Sequence, residues 1–197
     1  MTLDSAFQYD QYIIKKQVFA LTGILRIFNL QGQLLMYCQQ KLFRLKEDIR
    51  IYADETKTRE LINIQARQII DFSASYDVFD SQYSTKVGSL RRKGFRSLVQ
   101  DEWEVFDAQD KPIGILKEDS LNRALLRRFL LGRLLPQDYD LMIGSERVAD
   151  FKQEFHMFQY LLDVDFRMDT TKKIDHRLGL SAAILLAIIE GRQNREG

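Results

Sequence analysis

Two stretches rich in arginine and lysine are the residues most suited to binding a ligand. Residues 81–100 contain no acid and five basic side chains, Lys86, Arg91, Arg92, Lys93 and Arg96. Residues 120–137 also lack acids and contain four arginines, Arg123, Arg127, Arg128 and Arg133. Arginine presents a planar fork of donors to phosphate, and basic side chains near an anionic bilayer contribute about 1 kcal/mol each. The two stretches therefore predict a site for an anionic phosphate group or a membrane surface.

Solubility offers a second interpretation of the same residues. An acidic segment, Asp101–Asp110, lies between the two stretches and could pair with them. The chain as a whole has 29 basic and 28 acidic side chains, so it lacks the general field of a basic nucleic-acid-binding protein. Only Phe95 and Phe129 interleave aromatic rings with the basic residues, and we expect no nucleic-acid partner.

Catalytic and metal-binding patterns are weak in this sequence. His156 and His176 do not have the spacing of paired ligands on a helix, and the single cysteine, Cys38, follows an apolar run. Glu102 and Glu104 would share one face of a strand, which is more typical of a solvated surface than of a catalytic pair. We expect no catalytic residues, no metal, no cofactor and no enzymatic activity.

Four segments repeat one pattern of apolar, polar, β-branched and aromatic residues followed by Asn or Asp. They are Leu25–Asn29, Ile49–Asp54, Tyr76–Asp80 and Trp103–Asp107. An apolar segment follows each turn, and these are Leu34–Cys38, Leu61–Ile64, Val87–Leu90 and Ile113–Leu116. Such pairs predict antiparallel hairpins.

Further segments of strand character bring the total to about a dozen. They are Tyr12–Phe19, Gln68–Phe72, Phe95–Val99, Tyr139–Ile143, Arg147–Phe151 and Phe155–Phe166. Many short strands at this spacing are typical of a sandwich or barrel. Only two prolines occur and no Gly/Ser linker interrupts the chain, so we predict one domain over residues 1–197.

One helix is predicted near residues 120–132. Strong helix formers follow two possible N-caps, Asp119 and Ser120, and Gly132 ends the run. Arg123 and Arg127 share one face of this helix, while an apolar stripe occupies another. Such a helix can lie on a membrane, dock on a partner or cover the core of its own domain.

A second helix is predicted at the C-terminal end of the chain. Its centre, Leu178–Ile189, contains twelve residues without a charge. This run covers about 18 Å as a helix, less than the roughly 30 Å of hydrocarbon in a bilayer. A helix that is apolar all round must be surrounded by protein, and a closed sheet of about a dozen strands can do this. The sequence therefore predicts a β-barrel around a central helix.

Several of these segments resemble the LURP-one-related proteins, which share a superfamily with phospholipid scramblases and the Tubby C-terminal domain. The resemblance lies in the C-terminal helix and in Tyr12–Phe19, Asn29–Gly32, Gln40–Ile49 and Tyr76–Asp80. It implies a Tubby-like closed antiparallel barrel of about twelve strands around the hydrophobic helix. It also implies relatives that bind phosphoinositides or are associated with lipid movement.

The chain departs from the scramblases in two respects. Their cysteine cluster is absent, and the segment that corresponds to their proposed calcium site, Asp163–Asp169, fits an EF-hand loop poorly. Arg167, Met168 and Ile174 occupy positions where ligands or glycine are needed, so we expect no calcium site.

These patterns together predict a non-enzymatic binding module that recognises anionic phospholipid headgroups at a membrane surface. The alternative is a structural or protein-interaction barrel with no lipid role, and the oligomeric state stays open. The first ten residues lack the features of a signal peptide, and one cysteine suits a reducing compartment. We therefore expect a cytoplasmic protein that is peripheral at the membrane.

Overall fold

The fold consists of strands wrapped around a C-terminal helix. A computed structural model of the chain describes residues 2–17, 23–40, 48–70, 73–93, 102–118, 137–154 and 159–193. In these ranges strands β1 to β12 are Gln11–Gln17, Gly23–Phe28, Leu34–Gln40, Ile49–Tyr52, Glu60–Ile70, Ser73–Asp80, Thr85–Arg92, Glu102–Phe106, Pro112–Glu118, Asp138–Ile143, Glu146–Glu154 and Gln159–Asp165. Helix α1 is His176–Gln193, and a short 3-10 turn, Ser5–Phe7, precedes β1.

The strands form one closed antiparallel barrel. Each strand pairs with its neighbours in the chain, and β1 pairs with β12 to close the sheet. This closing pair runs from Gln11 opposite Asp165 to Gln17 opposite Gln159. Side chains alternate between buried and partly exposed along β2 and β12, because successive residues point to opposite faces of the sheet. The expected barrel of about twelve strands and the four repeated hairpins are confirmed.

One pair of predicted strands is a single strand. Leu61–Ile64 and Gln68–Phe72 were expected as separate segments, but β5 runs through both as far as Ile70. A register shift between Ala66 and Gln68 interrupts the alternation, which made one bulged strand resemble two. The predicted strand Phe95–Val99 and the predicted helix near 120–132 lie outside the described residues.

Helix α1 is the central element of the core, as its uncharged sequence predicted. Every residue of Leu178–Ile189 is buried, and the helix packs against β12, β7, β1 and β6. Small residues permit this close packing. A Cβ on Gly179 would lie 2.6 Å from Cε1 of Phe166, and one on Gly88 of β7 would lie 2.7 Å from Cδ2 of Leu178. No helix among the described residues is long and apolar enough to cross a membrane.

Charged groups contact α1 at its start and again near Ala187. At its start, Arg177 Nη1 donates to Asp80 Oδ2 and Nη2 donates to Asp175 Oδ2, each at 2.5 Å. Farther along the helix, Lys16 of β1 is buried and its Nζ donates to the carbonyl oxygens of Ala187 at 2.9 Å and Ile188 at 3.3 Å. These two hydrogen bonds satisfy a cation at an inward-facing strand position.

The alternation of strand directions gives the barrel two distinct ends. We call the end where α1 begins the proximal end, and the turns that follow β2, β4, β6, β8 and β10 lie there. We call the opposite end, where α1 finishes, the distal end. Strands β1, β3, β5, β7, β9 and β11 all finish at the distal end.

Candidate anion-binding face

Strand β7 carries the first predicted basic stretch. It places Arg91 on the outer face of the barrel, and Lys93 follows two residues later. Arg92 lies on the alternate, inward-facing side of the strand, where it is opposite the buried Trp103. The other four predicted site residues lie outside the described part of the chain, and these are Arg96, Arg123, Arg127 and Arg128.

Arg91 and Lys93 form ion pairs with the neighbouring strand β8. Arg91 Nη2 lies 2.6 Å from Glu104 Oε2, and its guanidinium stacks 4.8 Å from the centroid of the Phe106 ring. Lys93 pairs with Glu102 and lies 3.9 Å from Glu104. Glu102 and Glu104 thus share a strand face, as alternation predicted, and that face partly neutralises the basic stretch.

Lys86 belongs to a second network on the outer wall. Its Nζ lies 2.7 Å from Asp110 Oδ1 and 3.0 Å from Asp77 Oδ1. Arg67 of β5 lies 2.5 Å from Asp77 and 2.9 Å from Asp110, and Ser89 Oγ donates to Asp110 at 3.0 Å. Hydrogen bonds from Lys86 and Arg67 hold the pKa of the Asp110 carboxyl well below its usual range. Lys86 is therefore committed to internal pairing.

Arg67 is a member of this face that sequence reasoning missed. It follows Asn63 and Gln65 on the outward-facing positions of β5, so alternation could have placed it on this face, but its partners on other strands depend on the register of the sheet. With Arg67 included, four cations of the outer face meet four carboxylates, those of Asp77, Asp110, Glu102 and Glu104. The described part of the face is therefore balanced in charge.

Exposure leaves some of these cations able to exchange partners. The side chain of Arg91 is 49% exposed and that of Arg67 is 44% exposed. Ion pairs at this level of exposure contribute about 0–1 kcal/mol, because water screens them and holding two side chains costs entropy. An incoming phosphate can therefore replace a carboxylate at small cost.

Topology relates the two basic stretches to each other. Strands β7 and β9 both finish at the distal end, and only β8 separates them in the barrel. Neighbouring strands lie roughly 5 Å apart, so β7 and β9 finish about 10 Å from each other. The first basic stretch continues beyond Arg92, and the second follows Glu118. The described strand ends that precede the remaining basic residues of the two stretches therefore lie side by side at the distal end.

Side chains weighed for other chemistry have structural contacts. Cys38 is fully buried, and burial raises the pKa of its thiol to about 12. The Nδ1 of His176 lies 3.1 Å from the carbonyl oxygen of Phe7, to which it donates in the neutral form. His156 lies outside the described residues.

The acidic segment before α1 shapes a turn. Asp169 Oδ1 accepts the backbone N–H of Lys173 at 2.8 Å, and its Oδ2 accepts that of Ile174 at 2.9 Å. Asp165 pairs with Arg167 at 2.7 Å. Within the described ranges, no three His, Cys, Asp or Glu side chains are grouped so that they could hold a metal ion.

Comparisons with known proteins identify the family. No curated protein sequence is significantly similar to the chain. The crystal structure of a protein from Arabidopsis thaliana superposes with a TM-score of 0.53 over 99% of each chain, at 14% identity, and supports the Tubby-like barrel fold. The family model described as LURP-one-related matches residues 34–187. The chain therefore belongs to the LURP-one-related family.

Proposed function

We propose that the chain is a non-enzymatic binding module that recognises anionic phospholipid headgroups at a membrane surface through its distal end. The observation that carries the proposal is the side-by-side finish of β7 and β9, the strands that in the chain carry or precede the two basic stretches. Clustered arginines and lysines attract an anionic leaflet, and each contributes about 1 kcal/mol near its surface. The protein would then be peripheral to a membrane in the cytoplasm.

The exposed ion pairs of β7 and β8 support reversible binding. Arg91 is attached to Glu104 by a pair that water screens, so a lipid phosphate can compete for the same fork of donors. The stacked ring of Phe106 keeps the guanidinium oriented while its partner changes. Recognition would therefore depend on charge and on ionic strength.

Vesicle sedimentation tests this proposal directly. The full chain should bind vesicles of phosphatidylcholine with 30% phosphatidylserine, ignore vesicles of phosphatidylcholine alone, and lose binding as salt rises. Replacing Arg123, Arg127 and Arg128 by Gln should weaken binding by up to about 3 kcal/mol. A matched variant with Lys57→Gln, Lys111→Gln and Lys172→Gln removes the same charge at the proximal end and should bind nearly as the native chain does.

A protein-interaction barrel with no lipid role is the second candidate. It is favoured by the pairing of Arg91 and Lys93 with glutamates, which reduces the positive charge available to a membrane. Absence of any preference for anionic over neutral vesicles would exclude recognition of anionic headgroups and support this candidate. Undiminished binding by the triple arginine variant would do the same.

A further inference from the structure

A groove lies on the outer wall near the proximal end of the barrel. It has a volume of about 230 Å³ and lies between β1, β11, β12 and the turn that joins β2 to β3. Ile13 and Leu30 supply apolar surface, and Asp150, Asp163 and Asp165 supply carboxylates. Lys152 is the single basic residue among those that line it, so the groove is negative overall.

Leu30 forms a fixed apolar wall of this groove. Its side chain is 57% exposed, and no other large hydrophobic residue in the described ranges is exposed. The turn holds it in place, because Asn29 Oδ1 accepts the backbone N–H of Gln31 at 3.1 Å and that of Gln33 at 2.9 Å. A single exposed leucine is unremarkable on a surface, but a rigidly held one beside a groove provides a contact for a partner.

Two of the three carboxylates that line the groove are paired with cations of the protein. Asp150 lies directly opposite Asp165 on neighbouring strands, an arrangement that repels. Lys152 lies 3.0 Å from Asp150, and Arg167 lies 2.7 Å from Asp165. Each of these two carboxylates therefore has its own cation.

Asp163 lacks such a partner. Lys15 and Lys152 act on it only by longer-range attraction, and no basic side chain of the described residues pairs with it. Burial, and then the charge of the neighbouring Glu154 and a hydrogen bond shared with it, raise the pKa of the Asp163 carboxyl. Two carboxyl groups therefore lie together here, an excess of negative charge over the paired cations. A cation from outside the chain would relieve this excess.

Size and charge together define the occupant. Pockets for small-molecule ligands usually measure about 300–1,000 Å³, so this groove suits one or two side chains of a larger partner. Its carboxylates complement a basic group, and Leu30 complements an apolar one. We infer that the groove docks a segment of a partner protein in which a lysine or arginine lies next to an apolar side chain.

Selection from a random octapeptide phage library on the immobilised full chain tests this inference. The recovered peptides should be enriched in lysine or arginine next to leucine, isoleucine or phenylalanine. The strongest peptide is then labelled, and its affinity is measured by fluorescence anisotropy. Asp163→Asn and Leu30→Ser should each weaken binding about 10-fold, and binding should weaken as the pH falls toward the raised pKa of Asp163.

A matched variant controls for general loss of charge. Glu146 lies outside the groove, has a 61% exposed side chain and pairs with Lys173, so Glu146→Gln should leave peptide affinity unchanged. Melting curves of the Leu30→Ser and Glu146→Gln variants should overlap with that of the native chain, because these positions are exposed, and Asp163→Asn should melt no lower because it removes an unfavourable charge. The test is independent of vesicle binding, which concerns the distal end.

Several results would overturn the inference. Failure to enrich any peptide, enrichment of acidic peptides, or an affinity of the Asp163→Asn and Leu30→Ser variants equal to that of the native chain would each exclude the proposed docking. Competition by spermidine at the same concentration as the peptide would assign the groove to a small polyamine. Self-association in sedimentation that Leu30→Ser abolishes would assign it to a second copy of the chain.

Discussion

Cys38 shows how burial controls the chemistry of one residue. Its side chain lies in the barrel core, and desolvation raises the pKa of the thiol to about 12. Since the thiolate is the reactive species, iodoacetamide should label the native protein at pH 7.5 far more slowly than the chain in guanidinium chloride. Mass spectrometry of timed samples measures both rates. Stoichiometric labelling of the native protein within minutes would contradict this prediction.

His176 should make stability depend on pH. It is buried, it stacks on Phe166 with ring centroids 4.4 Å apart, and its Nε2 has no hydrogen-bond partner among the described residues. Burial, and then the positive charge of Lys172, lower its pKa below the value of about 6.5 that it has when unfolded. The unfolded chain therefore binds the proton more readily than the folded chain does.

The sign of the effect follows from this difference. Stability should be fully present above pH 6.5 and should decrease as the pH falls toward the lower pKa of the folded state, by at most about 1.4 kcal/mol per pH unit. His176→Gln keeps a donor for Phe7 but does not titrate, so its melting temperature should change less between pH 7 and 5.5. Parallel pH profiles for the two proteins would exclude His176 as the cause.

A substitution in helix α1 tests how closely this helix packs against the barrel. Gly179→Ala would place a methyl group 2.6 Å from the buried ring of Phe166, and overpacking of this kind costs about 1–3 kcal/mol. Alanine also favours the helix by about 1 kcal/mol. We expect a net loss of stability, because the cost of overpacking exceeds this gain in helix propensity. Urea denaturation measures the change in free energy of unfolding.

A second substitution checks the proposed cause. Phe166→Leu removes the ring atoms that the new methyl group would meet, so Gly179→Ala should cost less in that background than in the native chain. Equal costs in both backgrounds would show that the loss has another origin.

The charge pattern of the whole molecule leads to a further prediction. Glu102 and Glu104 hold Lys93 and Arg91 on the wall that leads to the distal end. Replacing both glutamates by Gln raises the net charge by two and should strengthen binding to anionic vesicles by up to about 2 kcal/mol. Melting should change little, since exposed pairs contribute about 0–1 kcal/mol each. Vesicle sedimentation and thermal melting measure the two effects.

A control variant at the proximal end distinguishes binding at the distal end from a general effect of net charge. Glu55 and Glu146 lie at the proximal end, and replacing both by Gln gives the same change in net charge. This control should leave vesicle affinity nearly unchanged. Equal gains in both variants would remove the distal end as the binding surface.

The sequence alone determined the architecture, because local patterns carry it. Alternating β-branched and aromatic residues that end in Asn or Asp predicted the repeated hairpins, and the uncharged run Leu178–Ile189 required a surrounding sheet. The burial of Cys38 also followed from its apolar neighbours. These features depend on residues that are close in the chain, so they can be identified before the fold is known.

Only the tertiary structure decided which distant side chains meet. Arg67 and Lys86 meet because β6 places Asp77 between β5 and β7, and Lys16 reaches the carbonyl of Ala187 because the barrel closes around α1. The groove beside Leu30 exists because β1 pairs with β12 from the other end of the chain. Register and closure are set by the packing of the whole sheet, so no local pattern could predict these contacts.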